Sequence, residues 1–156
     1  MTVFANRMST ASEHEKNVCA RIRSLGWQCE PFGQALLSEP MREALRRFKT
    51  PVRWMPDLIA VRDEILFVDA KSEQRRDTPN FSVECASWES DKRWSIALAA
   101  PVVYVFADFS ANYIDALRPI RTISEDRGGT SGSGTAFILV RKSDQLHLEE
   151  IFGRVE

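Results

Sequence analysis

Pro56-Asp57-Leu58-Ile59-Ala60-Val61-Arg62-Asp63-Glu64-Ile65-Leu66-Phe67-Val68-Asp69-Ala70-Lys71 is the stretch whose reading decides this chain. Leu58 to Val61 and Ile65 to Val68 are unbroken apolar runs. Such runs suit strands of a sheet covered on both faces. The link between them, Arg62-Asp63-Glu64, is too short for a crossover, so the two strands form an antiparallel hairpin. With the turn centred on Asp63, Leu58 meets Val68, Ile59 meets Phe67, and Asp57 lies opposite Asp69. Lys71, two positions past Asp69, points to the same face as Asp69. Two carboxylates and one ammonium therefore converge at one end of the hairpin. A slip of one residue in register would put the acids on opposite faces.

Charges beside buried apolar strands require compensation. A divalent cation supplies it. Two carboxylates and a nearby backbone carbonyl, here that of Ala70, suit Mg²⁺ or Mn²⁺. Such an ion polarises a phosphate oxygen and lowers the pKa of bound water. A lysine beside it orients that water or offsets developing negative charge.

Upstream, Val18, Ile22 and Leu25 recur at helical spacing and predict a helix over Ser12 to Leu25 that stops at Gly26. Thr10 with Glu13 and Ser12 with Glu15 both read as capping boxes at its start. Trp27 to Glu30 reads as a short strand, and Gly33 to Met55 as an insertion whose centre, Pro40 to Lys49, is helical. Downstream, a polar loop from Ser72 to Asn80 leads to a second helix over Val83 to Ala99. Its expected buried face is Val83, Ala86, Ser90, Trp94, Ala97 and Leu98. Pro101 to Phe106 is a buried strand, and Ala111 to Leu117 reads as a short helix. The Gly/Ser-rich segment at about 126–135 reads as a flexible loop, and 136–141 with 145–151 as a final strand pair. The whole is a mixed α/β fold in a single domain over residues 1–156.

Composition narrows the function classes. No apolar run is long enough to span a membrane. The opening MTVFANRMSTASEHEK lacks the basic and then apolar build of a secretory signal, so a cytoplasmic location is expected. The three cysteines, Cys19, Cys29 and Cys85, form no CxxC pair and suggest neither a zinc site nor a disulfide framework. The Gly-rich segment lacks the Lys-Ser/Thr of a phosphate-binding P-loop. A formal net charge of −1 does not by itself announce a nucleic-acid binder. Local clusters suit phosphate neutralisation better: Arg42, Arg46, Arg47, Lys49 and Arg53, then Arg75 and Arg76, then Lys92 and Arg93. Each is equally readable as a solvated face.

Pro56-Asp57 with Asp69-Ala70-Lys71 resembles the motif of the PD-(D/E)XK nuclease superfamily, and the element order resembles its restriction-endonuclease-like αβββαβ core. The resemblance implies metal-dependent hydrolysis of phosphodiester bonds in nucleic acid, most readily DNA. On that basis Asp57 and Asp69 ligate Mg²⁺ (or Mn²⁺) together with the Ala70 carbonyl, and Lys71 assists the attacking water. Members often add an acid from the first helix. Glu15 is the match, with Glu13 as alternative, in a helix-Gly-aromatic arrangement similar to archaeal Holliday-junction resolvases. The insertion at about 33–55 departs from those compact proteins. Glu84 and Glu73 are further acids in reach by sequence, although a helix start and a solvated loop explain them as well. His14 and His147 read as surface or boundary residues, Lys92 as an exposed lysine, and Trp54 and Trp88 as packing residues before base-stacking ones. The expected function is a DNA endonuclease, with branched or junction DNA as one substrate class and a homodimer as one assembly, since two strands require two cuts. The alternative is a module that kept the fold, lost catalysis, and binds nucleic acid or protein.

Overall fold

The computed structural model describes residues 3–72, 78–124 and 136–153. Helix α1 (Val3–Ser24) leads to strand β1 (Gln28–Pro31). Helix α2 (Glu39–Leu45) lies between two short 3₁₀ turns, Gly33–Leu36 and Pro51–Trp54. Strands β2 (Leu58–Val61), β3 (Ile65–Lys71) and β4 (Asn80–Glu84) follow, then helix α3 (Cys85–Leu98) and strand β5 (Val102–Phe106). The chain continues through β6 (Ser110–Tyr113), β7 (Pro119–Ser124), β8 (Ala136–Arg141) and β9 (Leu146–His147) to helix α4 (Leu148–Phe152).

The strands form a six-stranded sheet in the order β1-β2-β3-β5-β6-β9 and a three-stranded sheet in the order β4-β8-β7. In the large sheet β1, β2 and β3 pair antiparallel, and β3 pairs parallel with β5. The sheet is therefore mixed. The parallel pair requires a long connection, and β4 with α3 provides it. Hairpin register is the expected one: Leu58 pairs with Val68 and Ile59 with Phe67.

Strand alternation sorts the core onto the two faces of the large sheet. Val18, Cys19 and Ile22 of α1 meet Leu58, Ala60, Leu66, Val68, Val103 and Val105, joined by Leu148 and Phe152 of α4. Phe67, Val102, Tyr104 and Phe106 face the other way, toward Phe81, Val83, Ile138 and Val140 of the small sheet. Phe81 and Phe106 stack with ring centroids 4.1 Å apart. Fully burying one such large apolar side chain contributes about 1.5–3 kcal/mol, so both faces are firmly held. No described helix is long and apolar enough to cross a membrane.

Several expectations are corrected. The first helix starts at Val3, so Thr10 and Ser12 lie inside it and do not cap it. A serine or threonine inside a helix costs only a few tenths of a kcal/mol, less than the contacts of a docked helix return. Residues 80–84 are a strand, and the second helix begins at Cys85. The small sheet claims Val83 through its pairing with Ile138, which lies far away in sequence. The buried positions of α3 are Ser87, Ser90 and Asp91, whereas Ala86 and Ala97 are exposed. Residues 110–113 are a strand and only Ile114–Ala116 form a helical turn. The expected final strand pair is not one: β8 joins the small sheet, β9 joins the large one, and 148–152 are helical. The Gly/Ser-rich loop, Glu73, Arg75 and Arg76 lie outside the described residues.

Candidate active site

Asp57 stands immediately before β2, and its neighbour Pro56 is buried. The Asp57 backbone is fixed on both sides: its N–H donates to the Val68 carbonyl (2.9 Å), and its carbonyl accepts from Phe32 N–H (2.7 Å). Its carboxylate crosses the hairpin end and accepts the Ala70 N–H at Oδ2 (2.8 Å). Asp69, 7% exposed, lies on β3 beside Tyr104 in the parallel register with β5. Lys71, half-buried at the end of β3, donates to Asp69 Oδ1 at 3.0 Å. Asp57, Asp69 and Lys71 thus sit together at the hairpin end, although the regular pairing stops at Leu58 with Val68 and the Asp57 N–H bonds to Val68 rather than to Asp69.

Glu15 enters from α1. Its carboxyl is pushed up from its ordinary 4.5 to about 7, by burial first and then by the Asp69 charge, against the opposing pull of Arg42. Burial drives the Asp57 carboxyl well above the usual carboxylate range, and the Asp69 and Glu15 charges push it further; Lys71 and the Ala70 N–H act in the opposite sense. Burial alone would depress the Lys71 ammonium, but Asp69, Asp91 and Asp57 together hold it above its ordinary value. Glu15 therefore faces the acids from the α1 side. Glu13, two positions away on the helix, is exposed. Glu84 ends β4 and precedes the first turn of α3.

Three residues that the sequence did not single out complete the surroundings. Lys71 also donates to Ser87 Oγ (2.8 Å). Ser87 Oγ is 3.5 Å from Asp91 Oδ2, which accepts the Tyr104 hydroxyl at 2.7 Å. The Lys71 ammonium also lies 4.6 Å from the Tyr104 ring centroid. The available signal was a pair of polar residues, four apart, in the middle of a helix that had to pack on a sheet. Arg42 of α2 is the other arrival: the insertion brings its guanidinium toward Glu15. Its Nε is buried and has no hydrogen-bond partner among the described residues.

The remaining candidates lie elsewhere or have structural work. His14 is buried, contrary to expectation, with Nε2 3.4 Å from the Val105 carbonyl and its ring edge-on to Phe109. His147 is exposed and its N–H donates to Glu150 at the start of α4. Lys92 pairs with Glu89 and sits over the Trp88 ring. Trp88 donates to the Ile114 carbonyl, and Trp54 lies under the Arg53 guanidinium. Of the basic cluster, Arg46 pairs with Glu43, while Arg47 and Lys49 are exposed.

The donor set suits a hard divalent cation. Asp57, Asp69 and Glu15 offer carboxylate oxygens, and Asp57 and Glu15 are held above their ordinary pKa by burial first and then by the Asp69 charge. That is the signature of negative charge short of a counter-ion, which such a cation would supply. Among the described residues no three His, Cys, Asp or Glu side chains form a ready-made metal cage. Mg²⁺ does not require one, because it binds through one or two carboxylates and keeps several waters.

No family model matches the chain, and no curated protein sequence matches it. Solved structures do. Hjc, a Holliday junction resolvase from the archaeal hyperthermophile Archaeoglobus fulgidus, superposes with a TM-score of 0.56 at 11% identity, over 94% of this chain and 98% of its own. A nuclease from a fusselovirus superposes with a TM-score of 0.44 at 11% identity, over 97% of this chain and 91% of its own. The likeness to Hjc shows the fold: the chain shares the mixed α/β architecture of that resolvase.

Proposed function

We propose that this protein is a Mg²⁺- or Mn²⁺-dependent endonuclease that hydrolyses phosphodiester bonds in DNA, with branched or junction DNA as its favoured substrate. The observation that carries the reading is the meeting of Asp57, Asp69 and Lys71 at the hairpin end, with Lys71 Nζ 3.0 Å from Asp69 Oδ1. The shared fold with a Holliday junction resolvase supports the substrate class.

In this reading Asp57, Asp69, the Ala70 carbonyl and Glu15 would hold the ion. The bound cation supplies Lewis acidity toward a phosphate oxygen and an acidified water. The chain's own residues do the rest. Lys71 presents a fixed ammonium beside Asp69, where it orients the attacking water and offsets negative charge as the phosphorane develops. The Ala70 N–H fixes the Asp57 carboxylate, so the acid does not reorganise during the reaction. Arg42 offers a guanidinium for a substrate phosphate, with Arg47 and Lys49 extending the positive surface. A homodimer would place two such sites for cuts on two strands.

The test is incubation of plasmid, single-stranded and four-way-junction DNA with Mg²⁺. Cleavage is expected, fastest on the junction, and Asp69→Ala and Lys71→Ala should each lower it by at least about 100-fold, the scale of removing one transition-state partner. Cleavage that persists in both variants overturns the mechanism. Absence of both cleavage and Mg²⁺ binding in the wild type would leave the nuclease fold serving as a binding module.

A further inference from the structure

The insertion between Gly33 and Met55 carries apolar side chains that the chain leaves uncovered. Met41 is 51% exposed and Phe48 58%, and Leu36 and Val52 are exposed with them. No residue of α2 is buried. The chain keeps winding past the end of α2, since Phe48 N–H donates to the Leu45 carbonyl at 3.0 Å. Met41 and Phe48, seven positions apart, therefore share one face two turns apart. The two 3₁₀ turns that bear Leu36 and Val52 pack on one another, and α2 packs on the second. The exposed apolar groups thus belong to one small unit, and a clustered patch calls for a partner where a scattered residue does not. Its charge names the kind of partner. Residues 33–55 hold five basic side chains and two acidic ones, in a chain of net charge −1. Glu43, one of the two acids, is already paired with Arg46. Arg47 and Lys49 flank Phe48 and are exposed, with no ion pair among the described residues.

A ligand that fits this surface offers apolar faces and negative charges in alternation. A nucleic-acid strand with open bases does so, because a flat base accompanies each phosphate. In a duplex the base faces are stacked on one another and out of reach. A second copy of this chain on the same face would set one cationic cluster against the other, because a two-fold interface pairs like with like. The insertion is also fixed to the hairpin end on both sides. A Cβ on Gly33 would lie 2.5 Å from the Pro56 carbonyl oxygen, and Met55 directly precedes Pro56-Asp57. Arg42 Nε, on the same helix, is buried without a hydrogen-bond partner among the described residues. From Arg42 to Phe48 the winding chain rises by roughly 9 Å, about the span of two to three stacked nucleotides. We propose that α2 and its flanking turns are a base-stacking platform: Met41 and Phe48 receive open bases at a branch or strand end, and Arg47 and Lys49 hold the phosphates beside them. The proposal rests on the nuclease reading for the site it serves. It names what that site would select, which is DNA opened within about three nucleotides of the phosphate to be cut. Met41 and Phe48 set specificity and take no part in the chemical step.

The experiment measures binding of the full chain to four-way-junction, single-stranded and blunt duplex DNA by fluorescence anisotropy, with Ca²⁺ in place of Mg²⁺ and over a range of salt. Phe48→Ala should weaken junction and single-strand binding by about tenfold, the scale of one lost base stack. Duplex binding should fall by less than about twofold in the same variant, since phosphate contacts carry it. Phe48→Trp, which still stacks, should bind like the wild type. Arg47→Ala should weaken all three alike and reduce the salt slope by about 1. Single-stranded DNA carrying 5-iodouracil should photo-crosslink to Phe48, as read by peptide mass spectrometry. If Phe48→Ala melts below the wild type, Met41→Ala takes its place, with the same selective loss expected. Equal losses on duplex and junction, or no loss on either, overturn the proposal. So does a wild-type dimer that Phe48→Ala converts to a monomer in sedimentation, because the patch is then a contact between copies. A wild type that binds junction DNA through Phe48 and cuts nothing with Mg²⁺ defeats the nuclease reading and leaves the platform standing. A wild type that cuts DNA while Phe48→Ala binds and cuts identically defeats the platform alone.

Discussion

Glu15 shows what a single side chain contributes to the balance of this site. Its carboxyl, near 4.5 in an unstructured chain, is raised to about 7 by burial and by Asp69. A raised carboxyl binds its proton more tightly in the folded state. Its contribution to stability is therefore full below about pH 4.5 and is lost as pH rises through about 7. Asp57 is raised in the same sense. The metal-free protein should accordingly melt several degrees lower at about pH 8 than at about pH 5, and Mg²⁺ should restore most of the difference, because a ligand of the folded state adds stability by mass action. Glu15→Gln removes one of the crowded charges. It should flatten that pH dependence and weaken Mg²⁺ binding by about tenfold, a typical cost for a supporting partner of a metal site. Differential scanning calorimetry across pH, with and without Mg²⁺, reads both effects; a variant with the wild-type slope would remove Glu15 from the site. Its position on the right helix face was legible in the sequence, because α1 is periodic through Val18 and Ile22. Its strained ionisation was not, because that depends on Asp69, brought near only by folding.

Elements meet at the site through a tight joint at Gly33. Gly33 has φ +63°, and a Cβ there would lie 2.5 Å from the Pro56 carbonyl oxygen and 3.0 Å from the Met55 Cβ. The start of the insertion is thus pressed against the residue before Asp57. Because the obstructing atom belongs to the backbone, relief requires moving the Pro56-Asp57 strand entry. Gly33→Ala should cost about 1–3 kcal/mol in chemical denaturation, from left-handed strain plus the clash. It should also reduce cleavage more than that loss of stability predicts, because Asp57 is displaced. A soluble variant with wild-type activity would show that the joint yields without moving Asp57. Helix α3 joins the same region from the other side: Trp94 Nε1 donates to the Pro51 carbonyl at 2.7 Å. The insertion is in this way clamped between α3 and the hairpin, which lets Arg42 face Glu15. Hydrophobic patterning located the hairpin but placed Val83 and Glu84 in a helix rather than at the end of β4. A short apolar segment carries no signal about a strand partner in residues 136–141.

For the whole molecule, the large sheet is a platform closed by residues far apart in sequence. Phe152 is fully buried, its ring lies edge-on to Trp27 at 5.3 Å, and its carbonyl accepts Trp27 Nε1–H at 3.1 Å. Arg21 of α1 pairs with Glu149 of α4 beside it. That exposed pair contributes under about 1 kcal/mol, so the buried ring carries the contact. Phe152→Ala should lower unfolding free energy by about 3–5 kcal/mol in urea, the cost of a large core truncation. Mg²⁺ affinity at about pH 8 should fall by no more than about threefold in the protein that remains folded, since the ring and carbonyl of Phe152 meet Trp27. A urea midpoint within error of wild type would show that α4 is not part of the cooperative core.

The sequence by itself determined the hairpin, its register and hence the meeting of Asp57, Asp69 and Lys71. Those features follow from a turn of fixed length and a pleat of period two, both local quantities. It also determined the mixed α/β class, because apolar strands with full faces require helices or another sheet to cover them. Only the tertiary structure decided which strands belong to which sheet, where α3 begins, and that the buried side of α3 presents Ser87 and Asp91 to Lys71 and Tyr104. Each of these depends on partners distant along the chain. A buried polar face stays hidden from hydrophobic patterning because hydrogen bonds and charge, rather than apolar area, make its burial possible.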